Sequence, residues 1–176
     1  LINAFNMADR GAALTEVADK FPEALAWVTT TYGAPSHLMF GDTPISSDTG
    51  FHQGDPLASL LFALVLQPVI NKIQQEVPGL KINAWFLDDG VQVGTKEELE
   101  KVVAILKREG PALGLILSTA ETVTHPAMPK TTVWSPLTPS EDPDPLQQGV
   151  PWVKDQGITL LGAPVGFAGF IRESLL

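Results

Sequence analysis

The sequence has no cysteine, which excludes a disulfide framework and a cysteine-based zinc site. Basic residues are scarce as well: 11 lysines and arginines stand against 20 aspartates and glutamates, and the formal net charge is −9. A domain that holds nucleic acid by itself normally presents a basic face, because neutralising phosphates supplies much of the affinity. The composition therefore argues against an autonomous nucleic-acid-binding domain.

Long apolar runs are also lacking. The longest spans residues 57–70, contains Gln67 and Pro68 near its end, and is too short to cross a bilayer. The sequence therefore predicts no transmembrane segment. Enough apolar material is present for a folded core, since 44% of the 176 residues are hydrophobic, and this excludes disorder as the default state.

The apolar pattern alternates between helical and strand periodicity along the chain. Asp55 and Pro56 are residue types that favour an N-cap and a first helical position, and Pro68 is expected to kink the helix that follows. Helices are predicted over residues 9–32, 56–77 and 96–109, hairpins over 37–50, 80–93 and 158–166, and a short strand over 114–117. This order predicts an α+β domain with helices packed on one face of a mainly antiparallel sheet.

Two adjacent carboxylates, Asp88 and Asp89, interrupt the apolar stretch of residues 84–94. Gly90 follows the pair and the alternating pattern then resumes, so we expect a β-hairpin with both acids at its tip. A solvated Asp-Gly turn is the simpler interpretation. The apolar flanks favour a partly buried pair instead, which requires a cation, and hard carboxylate oxygens are the ligands that Mg²⁺ prefers.

A second candidate site lies where the central helix starts. Residues 50–57 contain two glycines and end in Asp55, Pro56 and a leucine, which is also what a well-capped helix needs. A helix N-terminus with free backbone amides favours phosphate. Together with an acid pair that binds metal ions, such a segment suits phosphoryl transfer.

The two segments together resemble motifs of reverse transcriptases of the non-LTR retrotransposon type. Residues 53–57 (Gln-Gly-Asp-Pro-Leu), followed by the apolar residues 60–64, resemble the B motif. Residues 86–89 (Phe-Leu-Asp-Asp) match the C motif, which is an aromatic residue, any residue and two aspartates. The other motifs are represented in the family's order by residues 3–6 for the end of A, 113–117 for D and 160–166 for E.

The resemblance implies a polymerase palm, in which three aspartates hold two metal ions, Mg²⁺ or Mn²⁺. By that analogy Asp88 and Asp89 are the catalytic pair and the metal ligands. Phe5 takes the position that excludes the ribose 2′-hydroxyl of the incoming nucleotide, Gln53 lines the nucleotide pocket and Gly54 permits close approach. The implied partners are an RNA template, a DNA primer and deoxynucleoside triphosphates.

The sequence departs from the family pattern at two motifs. The family's A motif has an aspartate, three further residues and then Ala-Phe, so that aspartate would stand one position before Leu1. The lysine of the D motif is replaced by Glu121, a carboxylate that repels pyrophosphate and is a poor acid at neutral pH. We therefore expect the isolated chain to lack polymerase activity and to bind Mg²⁺ weakly.

Two functions remain open at this point. The first is RNA-directed DNA polymerisation by a longer protein that contains this palm. The second is a non-catalytic role, in which a retroelement-derived module contacts protein partners within a larger assembly. The predicted organisation is a palm core over residues 1–125, a proline-rich acidic loop over 126–151, and a motif-E-like hairpin with a C-terminal tail over 152–176.

Overall fold

The computed structural model describes residues 1–122, 130–136, 146, 149–153 and 155–176. Within them are six α-helices and three antiparallel two-stranded sheets, so the predicted α+β class is confirmed. The chain forms two compact units. We call residues 2–78 and 105–116 the helical unit, and Leu1, 79–104 and 117–176 the hairpin unit.

The helical unit begins with α1 (Ala4–Met7), α2 (Arg10–Lys20) and α3 (Leu25–Tyr32). Asp9 caps α2, since its side chain accepts a hydrogen bond from the Ala12 backbone N–H at 2.6 Å. The helical stretch predicted over residues 9–32 is confirmed, with a break at the 3₁₀ turn Pro22–Ala24. The break falls there because proline has no N–H with which to continue a helix.

The long helix α4 (Ala58–Glu76) supplies much of the core of the helical unit. It starts two residues later than predicted, because Asp55 caps the turn ahead of it and accepts the Leu57 N–H at 2.8 Å. Pro68 lies inside α4, and the helix continues on both sides of it. Its fully buried side chains recur at helical spacing and include Leu61, Phe62, Val65, Val69 and Ile73.

A predicted hairpin lies between α3 and α4. Strands β1 (Ser36–Phe40) and β2 (Thr43–Ser47) pair antiparallel, with Leu38 opposite Ile45. Most of their side chains are exposed, including the large apolar ones of Met39 and Phe40.

The hairpin unit contains β3 (Ile82–Phe86) and β4 (Asp89–Val93), followed by α5 (Lys96–Glu109), whose last turns belong to the helical unit. The predicted bounds of α5 are confirmed. Farther on, β5 (Gly157–Leu160) and β6 (Ala163–Gly166) form the third hairpin, and α6 (Ala168–Ser174) follows. This hairpin matches the one predicted over residues 158–166.

The strand predicted over residues 114–117 is wrong. Gly114 adopts a left-handed φ of 71° and ends the 3₁₀ turn Pro111–Leu113. The Leu115 N–H then bonds back to the Gly110 carbonyl at 2.9 Å, as in a helix end, and not to a neighbouring strand. Apolar composition suggested a strand, but the glycine serves as a helix stop.

Much of the predicted acidic loop, including residues 140–145, lies outside the described residues. In the described part of the chain, no helix has the length and apolar character needed to cross a membrane.

Candidate functional site

The acid pair lies at the end of the β3–β4 hairpin. Phe86 pairs with Asp89, so the loop between the strands consists of Leu87 and Asp88 alone. Asp88 is half-buried and Asp89 is exposed. A two-residue loop fixes the strand register, so the two carboxylates are held at one defined place on the molecule.

The turn that carries the acids has an unusual backbone. Leu87 has a φ of 55°, a left-handed conformation that a bulky L-residue rarely adopts. Tight hairpin loops favour a positive φ at their first central position, where glycine or asparagine is the usual residue. A leucine there costs about 1 to 3 kcal/mol, and such strain persists only where the surrounding structure enforces it.

One face of this hairpin supports the turn. The Trp85 Nε1–H donates to Asn83 Oδ1 at 2.9 Å, and Gln92 Nε2 donates to the same oxygen at 3.4 Å. A Cβ on Gly90 would lie 2.6 Å from the Trp85 ring. The glycine that follows the two acids therefore leaves room for the tryptophan to cover the strand behind them.

Leu1 belongs to the same unit as this hairpin and is buried. Burial lowers the pKa of its amino group below the ordinary value of 8.0, and the carboxylates of Asp88 and Asp89 oppose that shift. Lys130 acts in the same direction as burial. The Leu1 backbone nitrogen therefore lies within electrostatic reach of both acids and of one lysine.

The donors at the turn are of the right chemical class for Mg²⁺ or Mn²⁺, since both are carboxylate oxygens at the surface. They are too few for a complete protein site. In the described part of the chain, no three His, Cys, Asp or Glu side chains are grouped as metal ligands. Asp88 and Asp89 thus fit a metal ion as a partial set of ligands, to which a further carboxylate or a phosphate must add.

The other predicted residues lie in the helical unit, where the chain start meets the segment before α4. The Phe51 N–H donates to the Phe5 carbonyl at 2.7 Å, and the Gly50 N–H donates to the Ala8 carbonyl at 2.9 Å. The Thr49 hydroxyl donates to the Asn6 carbonyl at 3.1 Å. Phe5 and the segment that carries Gln53 are therefore neighbours, although 48 positions separate them in the sequence.

Phe5 is half-buried, and its ring stacks on Phe62 of α4 with 4.7 Å between ring centroids. The stacking fixes the ring and also makes it part of the core. Gln53 and Gly54 form an exposed turn ahead of α4. Gly54 has a φ of 92°, and no atom lies within 4 Å of the place where its Cβ would be, so its surroundings are open.

Arg10, at the start of α2, is a residue that sequence reasoning missed. Its side chain is buried, and its guanidinium donates to three backbone carbonyls: Gly50 at 2.7 Å, Ser47 at 2.9 Å and Thr49 at 3.2 Å. It also donates to the Ser47 hydroxyl at 3.1 Å. The single guanidinium of Arg10 thus holds the segment between β2 and α4 through hydrogen bonds.

Tyr32 and Asp55 bind the far end of the same segment. The buried Tyr32 hydroxyl donates to one oxygen of Asp55 and accepts the His52 N–H at 3.4 Å. Hydrogen bonds from Tyr32 and from Leu57 hold the pKa of Asp55 below its ordinary value. Burial and the bond to Asp55 raise the pKa of Tyr32.

Arg10 and Tyr32 are also in contact with each other, with the guanidinium carbon 5.4 Å from the ring centroid. Tyr32 is the only tyrosine of the sequence, and this rarity is a sequence signal that marks it as a candidate functional residue. No local pattern indicated Arg10, because its partners lie about 40 positions away.

The predicted site residues thus fall in two places. Asp88 and Asp89 lie in the hairpin unit with Leu1, whereas Phe5, Gln53 and Gly54 lie in the helical unit. Glu121 is exposed in a turn of the hairpin unit. The motif-E-like segment forms the β5–β6 hairpin, with Leu161 and Gly162 as its loop.

Comparison of this chain with known protein families, with curated protein sequences and with solved structures finds no match.

Proposed function

We propose that this chain is the palm segment of an RNA-directed DNA polymerase of the reverse-transcriptase type, inactive when isolated from the rest of such an enzyme. The observation that carries the proposal is the hairpin tip, where Asp88 lies in a strained two-residue loop, Asp89 begins the next strand, and both carboxylates are within electrostatic reach of Leu1. Strained turns cluster at functional sites, and neither acid contributes to a core.

In this proposal Asp88 and Asp89 hold Mg²⁺ or Mn²⁺. An aspartate joined to the Leu1 nitrogen would bring a third carboxylate towards them, which is the position that the A motif implies. The chemistry that bound metal ions supply in such a site is activation of the primer 3′-hydroxyl and stabilisation of the leaving pyrophosphate. The fixed register of β3 and β4 is what the protein itself contributes, since it orients both carboxylates in advance.

The nucleotide is assigned to the segment ahead of α4. Gln53 and Gly54 are exposed, and the space beside Gly54 is open to a ligand. Phe5 is bonded through its backbone to Phe51, two residues before Gln53. The backbone therefore holds Phe5, which is proposed to exclude the 2′-hydroxyl, close to Gln53, which is proposed to line the pocket. Discrimination between sugars requires such a fixed arrangement.

Glu121 gives no positive charge to a departing pyrophosphate, but Lys130 belongs to the same unit. Its backbone N–H is bonded to the Ser118 hydroxyl at 3.0 Å, and its charge acts on the Leu1 nitrogen. Lys130 is thus our candidate for the cation that the D motif otherwise supplies.

A second candidate function is a non-catalytic module that binds other proteins. The observation that favours it is the exposed apolar hairpin of β1 and β2, where Leu38, Met39 and Phe40 are 52%, 66% and 78% exposed. An exposed apolar patch of this kind marks an interaction surface or an aggregation risk.

The test is a Mn²⁺ titration, followed by electron paramagnetic resonance, of the natural chain and two variants. We expect weak binding that is lost in Asp88→Asn and retained in Asp42→Asn, which removes an acid from the loop of the β1–β2 hairpin. Equal binding by all three proteins would refute the metal site and favour the non-catalytic module. Primer extension by the isolated chain should yield no product, and template-dependent synthesis would contradict the stated inactivity.

A further inference from the structure

We propose that Arg10 is the positioning residue of the nucleotide-binding segment: its buried guanidinium fixes residues 47–50, so that Gln53 and Gly54 are presented in one conformation. This inference rests on the proposed function, because it names a residue that acts through the proposed nucleotide site without touching the nucleotide.

The hydrogen bonds of Arg10 converge on one short stretch of backbone. Nε donates to the Gly50 carbonyl at 2.7 Å and Nη1 to the Ser47 carbonyl at 2.9 Å. Nη2 donates to the Ser47 hydroxyl at 3.1 Å and to the Thr49 carbonyl at 3.2 Å. The planar fork of arginine can satisfy several acceptors at fixed angles, which a lysine ammonium on a flexible stem cannot reproduce.

The charge of Arg10 is compensated by backbone carbonyls within residues 47–50. Its side chain is 6% exposed, and in the described part of the chain no carboxylate pairs with it. A buried cation is costly unless hydrogen bonds compensate for lost water. Here backbone carbonyl oxygens and the Tyr32 ring surround the guanidinium. Residues 47–50 therefore cannot move away unless the charge becomes exposed or stays buried without hydrogen-bond partners.

Tyr32 and Asp55 fix the far end of the segment. The Tyr32 hydroxyl donates to Asp55, whose second oxygen accepts the Leu57 N–H at 2.8 Å. Between the two anchors, Phe51 is buried and meets the Tyr32 ring edge-on, with 5.4 Å between centroids. Only residues 52–54 project as an exposed turn, which is the arrangement of a binding loop on a rigid support.

The experiment is native-state hydrogen exchange on the natural chain and on its Arg10→Lys variant. The amides of Gly50 and Phe51, which bond to Ala8 and Phe5, should exchange at least about tenfold faster in the variant, because opening of the segment becomes easier. The amides of Val65 and Val69 within α4 should be unchanged. Arg172→Lys, an exposed arginine of α6, is the matched control and should change neither group.

A second variant with a smaller change keeps the test valid if Arg10→Lys does not fold. Ser47→Ala removes one acceptor of Arg10 and keeps the backbone carbonyls, so it should accelerate the same two amides to a smaller extent. Unchanged exchange at Gly50 and Phe51 in Arg10→Lys would overturn the positioning role. Faster exchange throughout α4 would overturn it as well, since it would show a general loss of stability.

A second measurement separates this inference from the proposed function. In the natural chain, dGTP with Mg²⁺ should shift the amide resonances of Gln53 and Gly54, and Arg10→Lys should weaken that binding by about tenfold. If dGTP shifts neither resonance in the natural chain, the proposed nucleotide site is refuted and the nucleotide part of the inference falls with it. The exchange result then still decides whether Arg10 fixes the segment.

Discussion

Tyr32 and Asp55 are joined by a hydrogen bond from a buried phenol to a half-buried carboxylate. Tyr32→Phe keeps the ring that packs on Phe51 and Arg10 but removes this donor and the acceptor of the His52 N–H. We expect a loss of about 1 to 3 kcal/mol in the free energy of unfolding, measured by urea denaturation. Thr31→Val, at the exposed neighbouring position, is the control and should cost less than about 0.5 kcal/mol. Equal stability of Tyr32→Phe and the natural chain would contradict the bond.

The same pair gives a pH dependence of known sign. The pKa of Asp55 lies below its ordinary value of 3.8, so its contribution to stability is present above pH 3.8 and is lost as the pH falls through the folded value. The pKa of Tyr32 lies above 10.0, so its contribution is present below pH 10.0 and is lost as the pH rises through the folded value.

These shifts can be isolated from the other titrating groups by comparing two proteins. The stability difference between the natural chain and Tyr32→Phe should be constant near neutral pH and should shrink at both the acid and the alkaline end. Urea denaturation at a series of pH values measures it. A difference that stays constant from about pH 2 to about pH 11 would show that the two groups are not coupled to folding.

Gly50 is required by its surroundings and not only by its backbone angle. Its φ is 66°, and an added Cβ would overlap the backbone carbonyl of Asn6. Gly41, in the β1–β2 loop, has a similar φ of 60° but nothing within 4 Å. We expect Gly41→Ala to cost about 1 to 2 kcal/mol from the left-handed backbone alone. Gly50→Ala should cost clearly more in the same denaturation assay. Equal costs would mean that the chain start and residue 50 are not in contact.

The backbone strain at Leu87 can be tested by replacing this leucine with a β-branched residue and measuring the loss of stability. A β-branched residue tolerates a φ of 55° poorly, so Leu87→Val should destabilise the hairpin unit by about 1 to 3 kcal/mol. Leu80→Val makes the same chemical change at a half-buried position without a positive φ, and it should cost less by at least about 1 kcal/mol. Similar losses in thermal unfolding of the two variants would indicate that the turn is relaxed.

Local features of the fold could be predicted from the sequence, whereas contacts between distant segments could not. The pattern around Asp88 and Asp89 predicted their hairpin, because strand alternation and turn residues are encoded within a few positions. The periodicity of α5 gave its bounds for the same reason. Gly114 shows the limit of such patterns, since an apolar run that suits a strand became the end of a 3₁₀ turn.

The contacts of Arg10 and Tyr32 beside the candidate nucleotide site could not be predicted from sequence patterns. The partners of Arg10 lie 37 to 40 positions away, and those of Tyr32 lie 20 and 23 positions away. A lone arginine at the start of an amphipathic helix is expected to be solvated, and only packing of the segment ahead of α4 buries it. The residues that hold a site are therefore harder to predict than the residues at its surface.

We propose that Asp88 and Asp89 form the metal-binding turn of a palm, and that an aspartate placed one position before Leu1 would add a third carboxylate to it. The most direct test compares the Mn²⁺ affinity of two extended chains, one with Met-Asp and one with Met-Asn placed before Leu1. We expect the Met-Asp chain to bind Mn²⁺ at least about tenfold more tightly than the Met-Asn chain, and we expect Asp88→Asn to abolish this gain. Equal affinity of the two extended chains would contradict it.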